Sequence, residues 1–141
     1  MMPYQRLVKW GLGGRQGSGK QMCSWVHIDD IGRAIEWFLD HPDLEGAYNI
    51  CAPDPVTNAR FMTTLRREMN HPFGLPAPTW LLKLGAPLVG TETELILKSR
   101  WVLPAKLERT GFTFSHPRLK AALASLIKKD SEQEAYENCI N

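Results

Sequence analysis

From Ile31 the apolar residues recur at Ile31, Ala34, Ile35, Phe38 and Leu39, while Arg33, Glu36 and Asp40 take the intervening positions. That i, i+3, i+4, i+7, i+8 series predicts a helix with one face to bury. Asp29 or Asp30 is its natural N-cap, and Pro42 followed by Gly46 ends it. Ahead of the helix, "MCSWVHI" has no helical period and reads as a strand. Behind it, "AYNICA" reads as a short buried strand. Strand, helix, strand is the order of one crossover unit of a parallel α/β sheet. The earlier run "YQRLVKW" reads as a poor central strand, interrupted by Gln5, Arg6 and Lys9.

After "PDPVTN" the pattern changes to helices joined by proline turns. Phe61, Met62, Leu65 and Met69 form one stripe of a helix that Thr57 or Asn58 caps and that stops before His71 and Pro72. A short helix is expected after Pro78, and another where Thr91 and Glu94 make a capping box ahead of "LILKSRWVL". Pro104 suits the first turn of a fourth helix and Gly111 its stop. "GFTF" alternates like a strand, and Leu119, Ala122, Leu123, Leu126 and Ile127 predict a last amphipathic helix. The expected organisation is an α/β part over 1–57, a helical subdomain over 58–129 with Pro53, Pro55 and Thr57 fixing the crossing, and a fraying tail over 130–141.

The 141 residues suffice for one domain, and 43% hydrophobic with 23% charged content is that of a globular chain. A net charge of +2 with scattered basic residues argues against nucleic acid and against a membrane surface. Apolar runs too short to span a bilayer, and an amino terminus without a signal-peptide core, lead us to expect a cytoplasmic protein. Cys23, Cys51 and Cys139 show no C-x-x-C pair, so neither a disulfide framework nor a zinc site is indicated.

The stretch "GLGGRQGSGKQ", Gly11 to Gln21, imitates a phosphate loop, with Gly14, Gly19 and Lys20 at G-x-x-x-x-G-K spacing. Gln21 stands where the magnesium-binding hydroxyl belongs, and the adjoining "MCSWVHI" is strand-like rather than helical. A dinucleotide fingerprint starting at Gly11 fails where Gln16 replaces the last glycine. The expected structure is a flexible turn leading into a short strand, with Lys20 solvated.

Three stretches in order, "SWVHIDDIGRAI", "APDPVTNARFMTTL" and "RWVLPAKLERTGFTFSHPRLKAAL", resemble the carboxy-terminal part of the extended short-chain dehydrogenase/reductase family. The resemblance is to its NAD(P)-dependent epimerase-like branch with a carboxy-terminal domain of unassigned function (DUF1731-like), and it covers about Met1 to Ile127. It implies the end of a Rossmann-type fold with a substrate-side helical subdomain, NAD or NADP as cofactor, and a sugar-nucleotide-like substrate. It also implies that the glycine stretch lies near the substrate cleft, where Gln21 and Trp25 become the candidate substrate contacts; for Trp25 the alternative is core packing. The family's chemistry needs a glycine fingerprint and a Tyr-Lys pair in Y-x-x-x-K, whose ammonium lowers the Tyr pKa for proton exchange beside the nicotinamide. Here Tyr4 is followed at that spacing by Val8, Tyr48 by Ala52 and Tyr136 by Ile140. The chain is therefore expected to hold no catalytic or cofactor-binding residue, to be inactive alone, and to be the carboxy-terminal portion of a longer protein, lacking roughly 160 to 170 residues.

His27 and Asp29 suggest a metal pair, but with no third ligand at recognisable spacing no metal site is expected. Ser24, His27 and Asp29 imitate a triad in composition only. Short of most of a sheet, the helix of Ile31 to Leu39 is expected to leave its apolar face uncovered and to drive self-association or partner binding. Two other functions fit the residues: a non-catalytic interaction module, and a degenerate nucleotide binder built on Gly14 to Lys20.

Overall fold

The computed structural model describes residues 2–76, 99 and 101–140. Helix α1, Met2–Lys9, leads through the glycine-rich loop into strand β1, Met22–Cys23. Helix α2 is Ile28–Asp40, strand β2 Val56–Thr57, helix α3 Asn58–Glu68, helix α4 Ala105–Glu108 and helix α5 Leu119–Ile140.

Several expectations hold and several shift. The helices expected near Ile31, Thr57, Pro104 and Leu119 form, but α2 starts earlier, with His27 as N-cap and Asp29 and Asp30 in the first turn. Residues 2–9 are helical, not extended; Tyr4, Leu7 and Val8 lie at i, i+3, i+4 and turn one face inward. Helix α5 runs on through the expected tail, and the Gln5 side-chain amide donates to Asp130 Oδ2 at 2.7 Å to tie it to α1. The helices expected after Pro78 and Thr91 lie outside the described residues, apart from Ser99 and residues 101–103, which are not helical.

Among the described residues the sheet is a single antiparallel pair, Met22 opposite Thr57 and Cys23 opposite Val56. No parallel pairing occurs among these described residues. "AYNICA" meets residue 25 through one bond, Ala52 N–H to the Trp25 carbonyl at 2.7 Å, and forms no ladder. "GFTF" likewise keeps the alternation of a strand without sheet pairing: Phe112 is buried, Thr113 exposed and Phe114 half-buried. A strand needs a hydrogen-bonding neighbour on at least one edge, and side-chain alternation alone does not supply one.

Two clusters hold the chain. In the first, Val8, Val56, Met62, Leu65, Leu119 and Leu123 are buried together, with Tyr4, Trp25 and Phe61 against them. It draws on residues from both sides of the boundary expected at 57/58, so the two parts share a core. In the second, Ala34, Leu107 and Phe112 are buried, with Trp37, Phe38 and Tyr48 packed around them. Here Trp37 Nε1 donates to Thr110 Oγ1 at 3.1 Å, which fixes α2 on the turn after α4.

Candidate functional site

The glycine-rich loop folds back onto the start of α3. It meets that helix with carbonyl groups: Gly19 C=O accepts from Ala59 N–H at 3.0 Å and Gln21 C=O from Asn58 N–H at 2.9 Å. Thr57 Oγ1 accepts from Arg60 N–H at 3.3 Å, as expected of an N-cap. The donors that make a helix N-terminus attractive to anions are thereby occupied. A phosphate cradle requires the reverse arrangement, with loop N–H groups facing open space and a helix directly after the lysine. After Lys20 comes β1, so the loop is a cap for α3 and does not cradle phosphate.

Nor does the loop behave as a loose turn. Gln16 is fully buried and exchanges two hydrogen bonds with Asn58, its own N–H to Asn58 Oδ1 at 2.8 Å and Asn58 Nδ2 to its Oε1 at 3.1 Å. Gly19 takes φ +70, which favours glycine, and a Cβ on Gly14 would strike the Leu75 carbonyl. Gly14 N–H donates to that same carbonyl at 3.1 Å, and Leu75 N–H donates to Gly11 C=O at 2.8 Å. These bonds pin the loop from two sides.

Of the two candidate substrate contacts, Gln21 is 6% exposed; its Nε2 donates to Gln16 C=O at 2.8 Å and its Oε1 accepts from Ser18 Oγ at 3.2 Å. Trp25 packs on the first core cluster, and its Nε1 donates to the Asp54 carbonyl at 2.8 Å. Both side chains spend their polar atoms on the protein. Lys20 is exposed.

The "HIDD" run organises the second region. His27 Nδ1 accepts from Asp29 N–H at 3.2 Å, capping α2. Asp30, fully buried, accepts from Ser115 N–H at 2.7 Å and His116 N–H at 3.0 Å. Arg33 donates to the Thr113 carbonyl at 2.8 Å and to Ser115 Oγ, so one turn of α2 grips residues 113–116. Asp29 receives Lys129 Nζ from α5 at 2.8 and 2.9 Å. The Lys129 hydrogen bond holds the Asp29 carboxyl below its ordinary range, whereas burial, followed by the nearby His116, holds His27 below 6.5.

The fold also supplies a third group near His27 and Asp29 that local spacing does not reveal. His116 joins them, with ligand atoms of all three within 4.8 Å of one another. The arrangement still does not suit a metal ion. The His27 and His116 rings are stacked, centroids 3.8 Å apart and 19° from parallel, so their in-plane lone pairs do not converge. His27 Nδ1 is committed to the cap, and Asp29 already holds an ammonium. The triad composition is equally unsupported, because Ser24 Oγ accepts from Val102 N–H at 2.8 Å and donates to the Val102 carbonyl at 3.1 Å. Tyr4 is pushed up from its ordinary value by burial and then by Cys23, the opposite of what a proton-transfer tyrosine needs.

Sequence reasoning misses two partners, Asn58 for Gln16 and His116 for the "HIDD" run. Gln16 and Asn58 are 42 residues apart and Asp30 and His116 are 86 apart, so local spacing carries no trace of either pairing.

Residues 77–126 match a domain of unknown function, DUF1731. The chain is 38% identical over 126 residues to an epimerase family protein of Staphylococcus haemolyticus, and 39% identical over 127 residues to one of Staphylococcus epidermidis. These alignments cover 89% and 90% of this chain but 40% of each relative. Among solved structures, a human epimerase family protein, SDR39U1 isoform 2 with NADPH, matches with a TM-score of 0.76 and 30% identity, covering 86% of this chain and 40% of that one. A nucleoside-diphosphate sugar epimerase from Corynebacterium glutamicum matches with a TM-score of 0.59 and 28% identity, covering 85% of this chain and 22% of that one.

Proposed function

We propose, from the premise that this chain is an epimerase-family segment spanning about 40% of its curated relatives, that it forms the substrate-facing side of an NAD(P)-dependent epimerase or oxidoreductase. The observation that carries this reading is the likeness to a protein solved with NADPH, set beside a sequence without a G-x-G-x-x-G fingerprint or a Y-x-x-x-K pair. Residues 58–129 make up the substrate-side subdomain, docked on 1–57 through the shared core. Gln21 and Trp25 shape the wall nearest the substrate, a nucleoside-diphosphate sugar or similar molecule in a cytoplasmic setting. Hydride and proton transfer belong to residues outside these 141, and the chain by itself is inactive.

The test is titration of the 141-residue chain with NADPH, monitored by fluorescence, and incubation with UDP-glucose and NAD. We expect neither cofactor binding nor turnover. Tight NADPH binding or formation of an epimerised sugar would overturn the reading.

The uncovered face of α2 favours a second reading as an interaction module. Ile28, Ile35 and Leu39, spaced by seven and four residues, are 61%, 54% and 76% exposed, an apolar stripe available to a second copy or another protein. No helix among the described residues is long and apolar enough to cross a membrane.

A further inference from the structure

Below the glycine loop, α3 ends in a turn that gathers cationic side chains around a cleft. Asn70 adopts φ 56, Asn70 N–H donates to Arg67 C=O at 3.1 Å and His71 N–H to Arg66 C=O at 2.9 Å. This left-handed closure satisfies the last carbonyls of the helix through the backbone. The arginine side chains are therefore not required as caps. It also swings His71 back beside Arg66 and Arg67, and these three with Thr63, Asn70 and Pro72 line a cleft of about 550 Å³.

Arg66 is held in place by shape. A Cβ on Gly13 would lie 2.9 Å from its Cγ, and one on Gly74 would lie 2.5 Å from its Cδ and 2.8 Å from its Nη1. Two glycines thus leave the channel through which this side chain passes. Its Nε is buried and has no hydrogen-bond partner within the protein, a condition that native proteins seldom tolerate for a donor. Among the described residues no carboxylate lines the cleft, and neither Arg66 nor Arg67 forms an ion pair. A planar guanidinium fixed by packing, a second one at the rim and an Asn amide are the donors that a tetrahedral oxyanion takes up.

We propose that this cleft binds a phosphate group, with the half-buried Arg66 as its packed anchor and Arg67 at its mouth. The site is separate from the family reading above, because it rests on the end of α3 and requires no nicotinamide or sugar. The volume leaves room for a small molecule carrying the phosphate.

Inorganic phosphate and a hexose 1-phosphate, each titrated into the 141-residue chain at low ionic strength by calorimetry, test it. Both should bind; tighter binding of the hexose phosphate assigns the cleft to a phosphorylated small molecule, and equal binding assigns it to the phosphate alone. Arg67→Gln, an exposed position, should weaken binding about tenfold with an unchanged melting temperature. Gly74→Ala, whose Cβ would meet both Arg66 Cδ and the Gly13 carbonyl carbon, should weaken it further, with the fold of the adjoining loop checked by circular dichroism and melting temperature. Lys20→Ala should leave binding as in the parent chain. Absence of binding at millimolar phosphate would overturn the proposal, as would equal losses in Lys20→Ala and Arg67→Gln, since that result would mean general attraction to a basic surface.

Discussion

The two packed regions of this chain are built from similar helices but closed to different degrees. Around Leu65, elements from the whole chain converge: α1 supplies Val8, β2 supplies Val56 and α5 supplies Leu119 and Leu123, so the cluster is covered on every side. Around Ala34, helix α2 is buried on one side by Leu107 and Phe112 while Ile28, Ile35 and Leu39 on the other remain exposed. The difference lies in what covers each helix. Region one is completed by residues distant in sequence but present in this chain, and region two has an apolar face for which the described residues provide no cover.

The largest expected effect tests the closed region. Leu65→Ala removes a fully buried side chain from a site walled on all sides, and should cost about 3–5 kcal/mol in urea unfolding. Leu107→Ala, equally buried but in the half-open region, should cost about 2–3 kcal/mol because neighbours there have room to relax into the space. Equal losses at the two positions would erase the distinction between the regions.

Next in size is the clamp that holds region two together. Asp30→Ala strips the acceptor from Ser115 N–H and His116 N–H and also removes the partner of Arg33, and should cost about 2–3 kcal/mol. Amide hydrogen exchange should show the damage concentrated in residues 112–117 and the start of α2, with α3 and α5 unchanged. Uniform loss of protection would mean that the two regions unfold as one unit.

Legibility in the sequence depends on the range of the interactions. The periods at Ile31, Phe61 and Leu119 identify three helices because a helix registers its buried face within a few residues. Helix α1 reads as a poor strand when Gln5, Arg6 and Lys9 are weighed as interruptions, although Tyr4, Leu7 and Val8 have helical spacing. Residue preference assigns the N-cap of α2 to Asp29 or Asp30, but His27 takes the cap and Asp30 is used by a backbone segment 85 and 86 residues away. The glycine loop's likeness to a phosphate loop ends at Gln21 in sequence and structure alike, yet its capping role depends on Asn58, which no local pattern announces. The likeness of three separated stretches to one family agrees with the relatives found, whereas pairing in the sheet is not legible, since a two-residue rung leaves almost no period to detect.

A smaller effect comes from pH. Because burial and the stacked His116 hold His27 below its unfolded value near 6.5, the unfolded chain binds a proton in the window between the two values and the folded one does not. Stability from this group is thus full above about 6.5 and declines as pH falls through that value toward the folded one. Asp29 and Asp30 work against the shift and Lys129 with it, so the decline should be shallow. His27→Asn, which keeps a capping acceptor but cannot titrate, should flatten the stability profile between about pH 7 and pH 5. A parent chain with no slope in that interval would show that the stacked pair does not couple to folding.

The smallest effect on stability should come from the open face, and it separates the two readings of function most directly. Ile35→Lys with Leu39→Lys alters side chains that are 54% and 76% exposed, so unfolding free energy should move by no more than about 0.5 kcal/mol. Association should respond far more than folding, because an apolar stripe that meets another copy loses its drive when two charges are placed on it. Sedimentation velocity should then show the parent chain self-associating and the double variant monomeric. If both sediment as monomers, the stripe does not recruit a second copy, and the interaction-module reading loses its main support. If instead the double variant unfolds, the face is packed within this chain, and α2 belongs to a closed region like that around Leu65.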